Sequence, residues 1–135
     1  MNQKPPQLAI WLMWLALPIN VANYWRVWDR LPMRMAVHFN ANWQPDGWAS
    51  RDNFWVPAIG VIAFLLVVFT IAAYAVRAAG KPALTAWILL GFFYLSIGFV
   101  SYLGNRVIEY NLNQPVQHAF VMRPERSFLN RRDEQ

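Results

Sequence analysis

The side chains best equipped for chemistry lie close together in one polar stretch: His38, Asn40, Asp46, Trp48 and Ser50. A Ser-His-Asp hydrolase would use Ser50 as nucleophile, His38 as base and Asp46 to orient the imidazole. No nucleophile elbow and no oxyanion-hole signature accompanies these residues, which counts against that chemistry. A metal needs more ligands than one His and one or two Asp residues provide. His118, further along the chain, makes a two-His site geometrically conceivable. Cys is absent, which excludes a thiol nucleophile, a disulfide frame and Cys-based metal sites. We therefore expect no catalytic residue, no metal and no cofactor; the chain is not expected to be an enzyme. Two roles remain open. The residues form either a recognition surface, with His38 and Asp46 contacting a peptide or headgroup, or a polar lock. In the lock, Asp46 satisfies turn amides and His38 bonds backbone across a strand.

The elements that position this stretch follow from charge patterning. No charged residue or His occurs in residues 5–25, 53–76 or 82–105, runs of 21, 24 and 24 residues. About 20 apolar residues in a helix cross the ~30 Å hydrocarbon core of a bilayer. Only 14% of the 135 residues are charged and 57% are hydrophobic, which excludes disorder and argues against a soluble enzyme. The expected fold is an all-α membrane protein with three transmembrane helices, at about residues 8–25, 54–76 and 83–103. An ordered connector, residues 26–53, carries a short strand-and-turn cap. Residues 1–104 form the transmembrane domain and residues 105–135 a polar C-terminal tail, although Val107, Ile108, Tyr110 and Leu112 continue the third helix. The first run follows Lys4 like a signal sequence, but no small-x-small cleavage site follows it, so it reads as an uncleaved helix.

Pro18 should bend the first helix, and Pro57 fits the first turn of the second. Gly80 and Pro82 mark the stop and restart between the second and third. Candidate packing residues are Asn20, Asn23, Gly60, Thr70, Gly91, Gly98 and Ser101. Small residues let backbones approach, and amide or hydroxyl groups bridge helices. The eight Trp residues fit interfacial belts, with Trp25, Trp28, Trp48 and Trp55 near the connector.

Within the connector, Leu31, Met33, Met35, Val37 and Phe39 alternate with polar positions, the pattern of a half-buried strand. Gln44-Pro45-Asp46-Gly47 suits a type I turn ending on a left-handed glycine. Ser50 or Asp52 can then cap the second helix.

The string Leu31-Pro32-x-Arg34-x-x-x-His38-Phe39-Asn40, followed by Pro45-Asp46-Gly47-Trp48-x-Ser50-Arg51, resembles a bacterial membrane family of unknown function. The same helix–loop–helix unit forms the N-terminal part of SdpI-type toxin-immunity proteins. The resemblance covers about residues 8–80 and implies two helices joined by an ordered loop. Trp43 and Gln44 depart from it: small residues and Glu are usual there. The immunity proteins also have further transmembrane helices.

Three crossings put the connector and tail on one side of the membrane, with nine basic residues, and the N-terminus and the residue 77–82 turn on the other, with three. Raw counting places the connector in the cytoplasm. The tight turn concentrates Arg77 and Lys81, however, and family members are drawn with the N-terminus inside. The expectation is thus a multi-pass protein of the bacterial inner membrane with an extracytoplasmic connector. The net charge of +5 is dispersed around the apolar runs, without the basic stripe that nucleic acid requires. Expected partners are the lipid bilayer and a protein partner or a second copy. The expected function is non-catalytic recognition of an immunity-like or signalling kind through the connector. The alternative is a small accessory subunit of an energy-converting or transport complex, packing through aromatic helix faces and the tail.

Overall fold

The structure is a computed structural model that describes residues 3–114; the expected tail beyond 114, His118 included, lies outside the described residues. Three helical spans of 24, 28 and 31 residues are long and apolar enough to cross a membrane. The first is interrupted: α1 (Gln7–Leu12) passes through a 3-10 turn (Met13–Leu15) into α2 (Ala16–Val27), and a second 3-10 turn (Trp28–Arg30) ends it. The interruption stands just before Pro18, whose missing N–H falls in the first turn of α2, where donors have no intrahelical partner. A two-stranded antiparallel hairpin follows, β1 (Arg34–Phe39) and β2 (Pro45–Ser50). Then come α3 (Arg51–Ala78) and α4 (Ala83–Asn113).

Large apolar side chains cover the outside of these helices: Leu8, Leu15, Ile19, Phe64, Ile71, Ile88, Phe92, Leu95 and Phe99 are all exposed. In water such a surface would be one continuous apolar patch, so the helices call for a lipid environment. Inside, Ile10, Met13, Ile62, Leu66, Phe69, Leu90, Phe93 and Ile97 form the intramembrane core, with Phe69 stacked on Phe93 at 4.1 Å. Polar bonds tie the spans together. Trp14 Nε1 donates to Thr70 Oγ1 at 3.0 Å, and Tyr94 donates its hydroxyl to the Ala9 carbonyl at 2.6 Å. Asn20 donates to Ser101 Oγ at 2.9 Å, and Asn23 donates to Asn105. At the opposite end Lys4 donates to the Arg77 carbonyl and Arg77 to that of Pro5, joining the N-terminal segment to the α3–α4 turn.

Several expectations are corrected. The third helix does not stop near 103 but runs to Asn113, so the first nine residues of the expected tail are helix. At ~1.5 Å per residue its 31 residues reach about 46 Å, well beyond a ~30 Å hydrocarbon core. The second helix starts at Arg51, three residues early, because Ser50 caps it there by accepting from the Asn53 N–H. Gly60, Gly91 and Gly98 mediate no close approach: a Cβ at each would meet nothing within 4 Å. The helix seam is made by bulky side chains with alanines such as Ala73 among them, not by these glycines. Finally, Gln44–Gly47 is not a turn. Pro45–Ser50 is strand, and the turn lies earlier, at residues 40–44.

Candidate functional site: the hairpin cap

The cap is built from Asn40 outward. Its side-chain Oδ1 accepts from the N–H groups of Asn42 (2.9 Å) and Gln44 (3.0 Å), while its carbonyl accepts from Trp43 N–H (3.0 Å) and its N–H donates to the Gln44 carbonyl (2.9 Å). Asn40 thus does what was expected of Asp46. The three residues between Asn40 and Gln44 make a tight hairpin loop whose last position is left-handed. Glycine is usual at such a position, but here it is Trp43, at φ 59°. A non-glycine residue there costs about 1–2 kcal/mol. Trp43 is 63% exposed and leans on Phe39, with centroids 6.1 Å apart.

The register of the hairpin shifts twice. Ala36 pairs with Trp48, His38 with Gly47 and Phe39 with Pro45, so Val37 and Asp46 are the extra residues on each side. The shift brings His38 directly over Gly47, where an added Cβ would lie 2.6 Å from the His38 Cβ. It also brings Asp46 Oδ1 to 2.5 Å from His38 Nδ1. This bond orients the ring, and Nε2 has no partner among the described residues. Both side chains are exposed, at 75% for His38 and 44% for Asp46, and exposed pairs contribute only ~0–1 kcal/mol to folding. Arg34 lies over the exposed Trp48 ring at 5.6 Å. Ser50 pairs with Arg34 in the ladder, four residues along β1 from His38. At ~3.3 Å per strand residue that is about 13 Å, too far for a Ser-His-Asp relay. Among the described residues no three His, Cys, Asp or Glu side chains cluster closely enough to hold a metal ion.

The underside of the cap is buried. Met35 and Ala36 are both fully buried, and Met35 packs with Tyr24, Val27, Leu31 and Ile108. Met33, expected on the same apolar face, instead precedes β1 and is exposed. Phe39 packs edge-on against Tyr110, with centroids 4.9 Å apart. Asn111 secures the free edge of β1: its Oδ1 accepts from Ala36 N–H and its Nδ2 donates to the Ala36 carbonyl, both at 2.8 Å. Its amide acts as one residue of a third strand and blunts an otherwise open edge. Arg51 completes the base. It donates to the carbonyls of Trp28 (3.0 Å) and Leu31 (3.4 Å), and its guanidinium lies 4.6 Å from the Trp28 ring centroid.

Residues 8–61 match the family model of a domain of unknown function, DUF1648. The match runs from α1 through the hairpin into the first part of α3. No curated protein and no solved structure matches the chain. The DUF1648 stretch thus contains the whole hairpin, yet Ile108, Tyr110 and Asn111, which cover its underside and edge, lie outside it. Sequence reasoning did not single out Trp43, Asn111 or Arg51 as site residues. Trp43 was visible as a departure from the small residues usual at its position. Asn111 carried no local signal, because its partner is 75 residues away.

Proposed function

We propose that this chain is a non-catalytic membrane protein that recognises an extramembrane molecule with the outer face of the hairpin, in the manner of the SdpI-type immunity proteins it resembles. One observation carries this reading: Trp43 is exposed and held in a backbone conformation that opposes folding. Strain kept at an exposed aromatic is characteristic of a binding surface rather than of a structural lock. The ligand class that fits is a membrane-active peptide, which offers apolar side chains to Trp43 and Trp48 and backbone groups to His38.

The test separates stability from recognition. Cells producing the chain are challenged with a panel of pore-forming bacterial peptides. Trp43→Gly should stabilise the protein by about 1–2 kcal/mol in a denaturation series. The same variant, like His38→Ala, should lose protection while accumulating normally in the membrane. Undiminished protection by both variants, or growth equal to that of empty cells against every peptide, overturns the proposal.

The proposed setting is the bacterial inner membrane with the hairpin outside the cytoplasm, supported by the basic pair in the α3–α4 turn. Because the chain has no Cys, single-Cys variants report sidedness. Ala41→Cys should react with an impermeant maleimide in intact cells, and Ala79→Cys should react only after lysis. The reverse pattern places the hairpin inside.

A second reading is the accessory subunit. It is favoured by the breadth of outward aromatic surface, including Trp25, Phe64, Phe92 and Phe99. Under it, the protein extracted in mild detergent co-migrates with fixed partners; migration alone or as a homo-oligomer rejects it.

A further inference from the structure

α2 and α4 each pack more closely on α3 than on one another. The seam between them opens outward as a groove of about 1070 Å³. Its floor is apolar over Met13, Leu15, Ile19, Ile97 and Gly98, whereas its connector-side end is lined by Arg26, Arg30, Asn23 and Asn105. We infer that this groove binds one anionic phospholipid, with its phosphate between Arg26 and Arg30 and an acyl chain along the apolar floor.

The inference goes beyond the hairpin's proposed role and rests on charge and depth. Arg26, at the end of α2, and Arg30, in the 3-10 turn that follows, both line this end of the groove. Neither forms an ion pair with a carboxylate among the described residues, where the pairs are His38–Asp46, Arg51–Asp52 and Arg106–Glu109. Glu109 also lines the groove, but Arg106 holds its carboxylate at 2.8 Å and neutralises it. Arg26 is steered toward the groove by donating to Asn23 Oδ1 at 3.1 Å, and Asn23 in turn donates to Asn105 across the seam. The groove end therefore carries two positive charges without a carboxylate partner among the described residues, beside fixed amides, a setting that suits an acidic headgroup. From Arg26 to Leu15 is about 17 Å along the helix, close to half of a ~30 Å hydrocarbon core. That depth suits an acyl chain of one leaflet. A second copy of the chain would instead set this arginine pair against its own symmetry mate.

The experiment is native mass spectrometry of the purified full chain, delipidated and titrated with phosphatidylglycerol or phosphatidylcholine. The wild type should retain one phosphatidylglycerol in preference to phosphatidylcholine. Arg26→Gln with Arg30→Gln should weaken that binding roughly thirtyfold, two headgroup charges' worth. Arg34→Gln removes a charge outside the groove and should leave it unchanged. Gly98→Phe fills open space, since a Cβ at Gly98 meets nothing within 4 Å, so it should fold and still lose the lipid. Equal retention of both lipids, undiminished binding by the double variant, or an Arg34→Gln loss as large as the double variant's overturns the inference. A dimer that Gly98→Phe disrupts also overturns it, by assigning the groove to a second copy.

Discussion

Asn111 offers the sharpest test of how the cap is held. Its carboxamide makes two bonds to Ala36, which is fully buried, and a third to the Val107 carbonyl at 2.8 Å. Replacing it with Leu keeps the volume and denies both Ala36 groups a partner. A buried backbone group without a partner costs about 1–3 kcal/mol, so the two together give about 2–6 kcal/mol. Asn111→Ala should cost less, because water can enter the space and satisfy part of the loss. Asn111→Asp still accepts from the Ala36 N–H but cannot donate to its carbonyl. The readout is amide hydrogen exchange over residues 34–39 and 45–50 in detergent or nanodiscs, with the middle of α3 as the internal reference. At 1.4 kcal/mol per tenfold, even the lower end predicts exchange in Asn111→Leu about thirtyfold faster than in the wild type. Asn111→Ala should fall between the two. If Asn111→Leu exchanges at the wild-type rate over both strands, the amide is not what closes the edge of β1. If α3 speeds up equally, the cap and the membrane helices unfold as one unit.

Two further substitutions test separate joints. Gly47→Ala should destabilise the hairpin by about 1–3 kcal/mol, since its Cβ would intrude on the His38 Cβ. His38→Gly in the same chain should recover most of that loss and His38→Ala should not; a double-mutant cycle with zero coupling refutes the clash. Within the membrane, Asn20→Ala removes the bonds to Ser101 and to the Ala16 carbonyl. It should lower stability by ~0.6–1.7 kcal/mol, read by steric trapping or thermal denaturation, and an unchanged value would mean that the Asn20–Ser101 bond contributes nothing.

The three crossings were legible because lipid imposes a crude and lengthy requirement: some 20 residues without charge. The positions of their ends were not. α4 outruns its uncharged stretch because residues 106–113 have a face to bury against β1; Val107, Ile108, Tyr110 and Leu112 hinted at the continuation, but the partner of that face became apparent only once β1 was in place. The hairpin too was visible as a strand followed by turn residues, yet the turn was expected at residues 44–47 and lies at residues 40–44. Pro45, Asp46 and Gly47 have strong turn preferences, but in an edge strand a Pro is tolerated, and Gly47 is needed for clearance under His38 rather than for a left-handed backbone. The actual left-handed residue, Trp43, is one that local preference would never nominate. The glycines of α3 and α4 were read as contacts because small residues often are. They face open space, and the contact between α3 and α4 is made elsewhere, by Phe69 stacked on Phe93.

The cap and the membrane helices are one mechanical object, and Arg51 is the joint. It is the first residue of α3, its own N–H donates to the Met33 carbonyl at 2.9 Å, and its guanidinium closes the end of the first span at Trp28 and Leu31. On the other flank α4 carries Ile108, Tyr110 and Asn111 out of the membrane to the underside and edge of β1. The hairpin is therefore clamped between the start of one transmembrane helix and the end of another. A ligand that pressed on Trp43 would act on Phe39 and, through it, on Tyr110 of α4. The arginine pair that lines the groove, Arg26 on α2 and Arg30 in the 3-10 turn that follows, sits at the same end of the first span that Arg51 holds through Trp28 and Leu31. The cap and the groove thus share the same two helices, so a shift of α4 relative to α2 would be felt at both.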